Sequence, residues 1–294
     1  FSISQPSNDL CSNAPALILN AAPTAGSTVN STVDNLGICG LDFNSYGVWY
    51  SVTATANEEL EIVTEYVSGT SFYPQISVFT GSCGSLTCFS SVNILAANGG
   101  RANKFSAVNG TTYYIAVFHP SVNTGDFTIK ANSTPSNDDC GNAQILSPPT
   151  IGGIATTVNA TTFASTPDAE GGCWNVTYAS QGGVWYTVNM GVNPGTLTAT
   201  TTNTTNNFDS RISVFVGNCG ALVCEATNDD KSPNQLSETN WYAQANTTYY
   251  ILVEGVYKYS NVPRRGDYRL DVTATATVAN DHCHNTVPLT IYEA

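Results

Sequence analysis

The chain has 294 residues, enough for two ordinary domains, and a net charge of −13 with only nine Lys and Arg. That balance excludes a nucleic-acid partner, which needs basic side chains against its phosphates, and it disfavours an anionic membrane surface. Charged residues make up 11% and hydrophobic residues 41%, so cores can form beneath a Ser, Thr and Asn surface, and no apolar run is long enough for membrane insertion as a helix.

One Met and abundant Thr, Val, Tyr and Gly favour strands and turns over helices. Phe1, Ser2, Ile3 and Ser4 open the chain as a short strand-like segment. NDLCSNAPAL follows from Asn8. Then come GVWYSVTA (Gly47–Ala54), ISVFTGSCGSLTC (Ile76–Cys88), GTTYYIAVF (Gly110–Phe118) and GDFTIKA (Gly125–Ala131). Ile76 and Val78 alternate with other residues at period two, and YYIAVF is a β-branched and aromatic run between turn residues, so each block reads as strand. The series then restarts: NDDCGNAQIL from Asn137, GVWYTVNM (Gly183–Met190), ISVFVGNCGALVC (Ile212–Cys224), NTTYYILVE (Asn246–Glu254) and GDYRLDV (Gly266–Val272). Three of these pairs keep one offset of 136 residues, which chance does not hold over separate blocks. A third opening, NDHCHN, begins at Asn280. The chain is therefore expected to be all-β, two tandem antiparallel β-sandwiches with partial strands of flanking repeats at both termini. The expected divisions are a terminal strand at 1–7, repeat one at 8–134, repeat two at 135–277, and the first strand of an incomplete third repeat at 278–294.

The nine Cys follow the repeats. Cys11 and Cys39 match Cys140 and Cys173; Cys83 and Cys88 match Cys219 and Cys224. Pairing nearest neighbours predicts disulfides Cys11–Cys39, Cys83–Cys88, Cys140–Cys173 and Cys219–Cys224, formed in an oxidising compartment. Cys283 is left over, unpaired or intermolecular.

The NDxC-x-NA opening, the GVWY strand, the ISVF-x-G-x-CG-x-L-x-C block and the TTYYI strand before GDF resemble the pre-peptidase C-terminal type of secreted β-sandwich. The resemblance covers both complete repeats. It implies a jelly-roll or Greek-key sandwich, usually non-catalytic, found in tandem on secreted hydrolases and large surface proteins.

Chemistry-bearing patterns are sparse. There is no GxSxG elbow, P-loop or dinucleotide fingerprint, so no enzyme is expected. His282 and His284 read as tail residues, and His119 as a turn residue. Asn228–Asp230 offers calcium-compatible oxygens but reads as a turn. Asp138 and Asp139, at the junction of the repeats, are the better calcium candidates. Trp49 and Trp185 read as core; Trp174 and Trp241 have no counterparts in repeat one and offer either a sugar platform or, as the more frequent outcome for a Trp, a packed or half-exposed side chain. Seven N-glycosylation sequons occur, at Asn30, Asn109, Asn132, Asn159, Asn175, Asn203 and Asn246, giving covalent N-glycans where the producing cell makes them.

The orphan segments at the ends carry the functional expectation. An isolated strand needs hydrogen-bonding partners, and a neighbour's sheet edge supplies them. Phe1, Ser2, Ile3 and Ser4, or Val287, Leu289 and Ile291, would then join copies of the chain head to tail into a homopolymer, an extracellular filament or surface fibre. The alternative is a carbohydrate- or protein-binding accessory module of a larger secreted hydrolase or adhesin.

Overall fold

The computed structural model describes residues 4–34, 36–40, 45–67, 72–91, 94–95, 100–168, 173, 182–202, 208–231, 236–256 and 265–276. Its first half holds β1 (Thr24–Ser27), β2 (Gly47–Thr53), β3 (Glu58–Tyr66), β4 (Gln75–Ser82), β5 (Ser85–Ser90), β6 (Ile94–Leu95), β7 (Arg101–Ala107), β8 (Thr112–Phe118) and β9 (Asp126–Ser133). Its second half holds β10 (Gln144–Ile145), β11 (Thr156–Thr161), β12 (Gly183–Asn189), β13 (Gly195–Thr202), β14 (Ser210–Asn218), β15 (Ala221–Asn228), β16 (Glu238–Ala243), β17 (Thr248–Gly255) and β18 (Asp267–Thr275).

Strand order defines the fold. In the first half, one sheet runs β1-β9-β3-β7-β6 and the other β2-β8-β4-β5. In the second, β11-β18-β13-β16 faces β10-β12-β17-β14-β15. Setting aside the two-residue edges β6 and β10, each half is an eight-stranded double-sheet jelly roll. Pairing is antiparallel throughout the long strands; β10 pairs with β12 in parallel over two residues.

Alternation builds the cores. In β13, Leu197 and Ala199 point inward while Thr196, Thr198 and Thr200 point out. The first sandwich closes over Val48, Leu60, Ile62, Ile76, Ile115 and Phe127, all buried. The second closes over Val184, Leu197, Ile212, Ile251 and Leu270. Trp241 belongs to this core, 4% exposed and 5.9 Å from the Tyr249 ring, so it offers no sugar platform. Its counterpart Phe105 packs on Tyr113 in the same way, which the sequence comparison missed because the residue type changes. Trp174 lies outside the described residues.

Trp49 and Trp185 are buried, but on the outer face of the β2 and β12 sheets rather than between the sheets. Trp49 packs with Phe79, Ala116 and Phe118 beneath Cys11 and Cys39; Trp185 packs with Phe215 and Leu252 beside Cys140 and Cys173. The disulfides clamp this covering segment, and their pairing corrects the nearest-neighbour expectation. The bonds are Cys11–Cys83, Cys39–Cys88, Cys140–Cys219 and Cys173–Cys224. The reason is the hairpin. Cys83 sits in the turn between β4 and β5, whereas Cys88 sits opposite Phe79, three residues along β5 from Ser85; at about 3.4 Å per residue the two lie roughly 10 Å or more apart, too far for a disulfide. Each is instead met by a different part of the covering segment, Cys11 from a short 3-10 turn and Cys39 from a turn at positive φ, with Cα separations of 5.5 and 5.3 Å, inside the disulfide range.

Candidate functional site

The junction between the sandwiches is the most elaborated polar region among the described residues. It grows from a five-residue turn present in both halves. In the second half, Thr162 N–H donates to Gly266 O, Ser165 N–H and Oγ–H donate to Thr162 O, and Asp138 accepts from Thr166 N–H and Oγ–H at 2.7 Å each. Thr28, Gly125, Ser31, Asp9 and Thr32 make the same bonds in the first half. Asp138 is thus a strut whose two oxygens hold the turn, as Asp9 does. This replaces the calcium role expected of Asp138; Asp139 beside it is exposed.

The tip of that turn docks on the first sandwich. Phe163 is 4% exposed and closes a small cluster with Val63 and Ala102 on the outer face of β3 and β7. Lys130 of β9 lies over its ring, 4.1 Å from the centroid, and pairs with Asp267 of β18 at 2.5 Å. Ala164 takes a left-handed φ of 59°, costly for a residue with a Cβ, and its N–H donates to Glu61 Oε2 at 2.6 Å. Arg265 Nη1 donates to Glu61 Oε1 at 3.3 Å, and Lys104 Nζ donates to Ser165 O at 2.6 Å. Glu61 is 2% exposed, and the Ala164 N–H and the Arg265 guanidinium offset the burial of its carboxylate oxygens. Burial, and then the nearby Arg265 charge, push the Lys104 ammonium below its ordinary pKa.

Register shows that the second sandwich does not repeat this docking face. Cross-strand partners place Thr198 where the first has Glu61, Thr200 for Val63, Glu238 for Ala102, Asn240 for Lys104 and Asp271 for Lys130. On the opposite side, exposed Val29 and Asn30 stand where the second sandwich has Phe163 and Ala164. Among the described residues, the contact that joins the two halves is therefore written once.

Beside the lock, the two sandwiches enclose a cleft of about 460 Å³. One wall is the Asn20–Pro23 segment, held to the end of β9 by the Asn20–Ser133 side-chain bond at 2.9 Å. The other is edge strand β11, with Asn159, Ala160 and Thr161, and the Lys130–Asp267 pair lies between them. A second cleft, of about 790 Å³, lies at the matching place on the first sandwich, where Gly26, Ser27, Asp126 and Phe127 line it.

The sequence missed a different cluster. Carboxylate oxygens of Asp209, Asp229 and Asp230 lie within 4.8 Å of one another, a donor set of the type a hard cation such as calcium takes. Asp209 immediately precedes β14, twenty residues before the pair noted in the sequence, and only the fold brings it near.

The remaining sequence-expected sites separate by exposure. Asn30, Asn109, Asn159 and Asn246 are exposed, Asn30 and Asn246 at left-handed turn positions and Asn159 on an edge strand. Asn132 is not a glycan acceptor in the folded chain: it is 3% exposed and its Nδ2 donates to Glu61 O at 3.3 Å. It sits in β9, facing the junction. His119 accepts from Ser121 N–H at 3.2 Å in a local turn. Ser4 lies in no strand and is exposed. Phe1, Ser2, Ile3, Val287, Leu289, Ile291, Cys283, Asn175 and Asn203 fall outside the described residues, as do His282 and His284.

Comparison with known proteins finds a family-model match over part of the chain. Residues 136–252 match a T9SS-associated family model described as galactose binding domain-like. This stretch runs through the second sandwich from its opening turn into β17. The coarser resemblance, to a secreted β-sandwich module, is what carries over from the pre-peptidase C-terminal reading. No curated protein matches. Among solved structures, the N-terminal CBM22-1-CBM22-2 tandem domain of Paenibacillus barcinonensis Xyn10C is 11% identical, with 89% of this chain and 94% of that one covered and a TM-score of 0.26. A Eubacterium rectale protein described as secreted is also 11% identical, covering 94% and 85%, with a TM-score of 0.29. At these scores neither bears on function.

Proposed function

We propose that the chain is a pair of non-catalytic carbohydrate-binding modules of a secreted protein, which was the alternative reading of the sequence. The match of residues 136–252 to a galactose binding domain-like model carries this proposal. Four disulfides, each closing a loop of 49 residues or more, fit an extracellular setting. No helix of the described residues is long and apolar enough to cross a membrane. The docking lock makes the pair a two-sandwich unit that presents its surfaces in one fixed relation. A glycan array probed with the full chain tests the reading. Binding to galactose-containing glycans above an unrelated disulfide-bonded control supports it; no binding to any glycan rejects it.

Head-to-tail assembly through the terminal segments is a separate expectation that rests on residues outside those described.

A further inference from the structure

We infer that the cleft between the sandwiches is a binding site for a single neutral sugar residue, held by groups from both halves. The inference deepens the carbohydrate-binding proposal and rests on it. Size is the first argument. The cleft measures about 460 Å³, within the roughly 300–1,000 Å³ typical of small-molecule sites, and it lies between two modules, where such sites concentrate.

Chemistry is the second. The cleft holds one cation and one anion already paired, Lys130 and Asp267, so it presents no net charge to a ligand. Lys130 is 8% exposed and Asp267 about a third exposed, which leaves carboxylate lone pairs facing the opening. An ammonium donor beside a carboxylate acceptor is the arrangement that two adjacent hydroxyls can bridge, one accepting and the other donating. Asn159 adds an exposed amide, able to give and receive, on the opposite wall, while the Thr161 hydroxyl beside it is held within the chain, accepting from Phe163 N–H at 3.1 Å. Ala21, Ala22 and Pro23 supply small apolar surface for the C–H face of a pyranose ring. An anionic or cationic ligand would have to disrupt the ion pair; an apolar one would leave it desolvated without replacement bonds.

The matching cleft on the first sandwich lacks this set. Asp126 stands for Asp267, but the wall there is formed by the Ser4–Asn8 segment, with no lysine. One site per chain is expected.

The full chain should be titrated with methyl β-galactopyranoside and with the best ligand from the glycan array, by calorimetry and saturation-transfer NMR. Ala22→Trp is the informative variant, because Ala22 is exposed on the cleft wall and its indole would fill the space without touching either core. Affinity should fall at least tenfold with the melting temperature unchanged. Asn159→Ala should weaken binding several-fold. Glycan binding that persists unchanged in both variants overturns the cleft assignment and leaves the broader function standing. If the wild-type chain binds no glycan at all, the function proposal fails first and the cleft assignment with it.

Discussion

Replacing Glu61 by Ala should uncouple the two sandwiches. Glu61 is 2% exposed and accepts from Ala164 N–H at 2.6 Å and Arg265 Nη1 at 3.3 Å, both from the second sandwich. Its loss removes the acceptor from a guanidinium whose side chain is 9% exposed and from a backbone N–H fixed in a left-handed turn. Breaking a buried ion pair costs about 3–5 kcal/mol; the 3.3 Å Arg265 contact argues for the lower end. For a unit this size, each kcal/mol moves a melting temperature by about 2–4 °C. Because the whole cost falls on the junction, calorimetry should show one endotherm in the parent chain and two in the variant, the lower displaced by about 6–12 °C. Small-angle scattering should show the pair extending. Glu61→Gln keeps an acceptor for Ala164 and should lose less. A Glu61→Ala endotherm of unchanged shape and position would show that the lock does not couple the halves.

Non-reducing peptide mapping should recover Cys11–Cys83 and Cys39–Cys88; with loops of 72 and 49 residues, each bond contributes about 4 kcal/mol by the chain-entropy model, so Cys39→Ala/Cys88→Ala should lose about that much in denaturant titration. Burial raises Asp168 to about 7 and Asp34 to about 6, against partial compensation from the Trp185 and Trp49 indole N–H donors. Both carboxyls hold a proton in the folded chain that the unfolded chain releases near 3.8, so stability should fall as pH climbs from about 4 to about 7. Asp168→Asn, which keeps an acceptor for Trp185, should raise the melting temperature at pH 8 and change it little at pH 4; equal effects at both values would contradict the assignment. Expression in a glycosylating cell should modify Asn30, Asn109 and Asn246 but leave Asn132 bare, read by glycopeptide mass spectrometry.

The fold class was legible because a jelly roll depends on alternation and turns, which the repeated blocks display twice. Cysteine pairing was not, since it depends on which strands cross the outer face of the β2 sheet. Chain proximity pointed to Cys83–Cys88, whereas the extended arm of β5 carries Cys88 away from the turn that holds Cys83. The functional surfaces were less legible still. Glu61, Lys104 and Lys130 read as isolated charges on strands, and Phe163 as one aromatic among many. Their meaning is relational: β3, β7 and β9 place the first three on one face, and a turn 32 residues or more further on brings Phe163 to it. One signal was available. Aligning the repeats shows Lys130 opposite Asp271, and Glu61 opposite Thr198, a break in the repeat at outward positions. Such a break marks a surface used in one copy only. Trp241 taught the converse: its lack of a Trp counterpart suggested a special surface role, but it took the packed alternative, because Phe105 fills the same core site in the first half.

Calorimetric titration of the intact chain with a galactose-rich polysaccharide tests the central claim most directly. Saturable heat, with one site per chain and competition by methyl β-galactopyranoside, is the predicted result. A flat titration with a chain shown to be folded and correctly disulfide-bonded would contradict it.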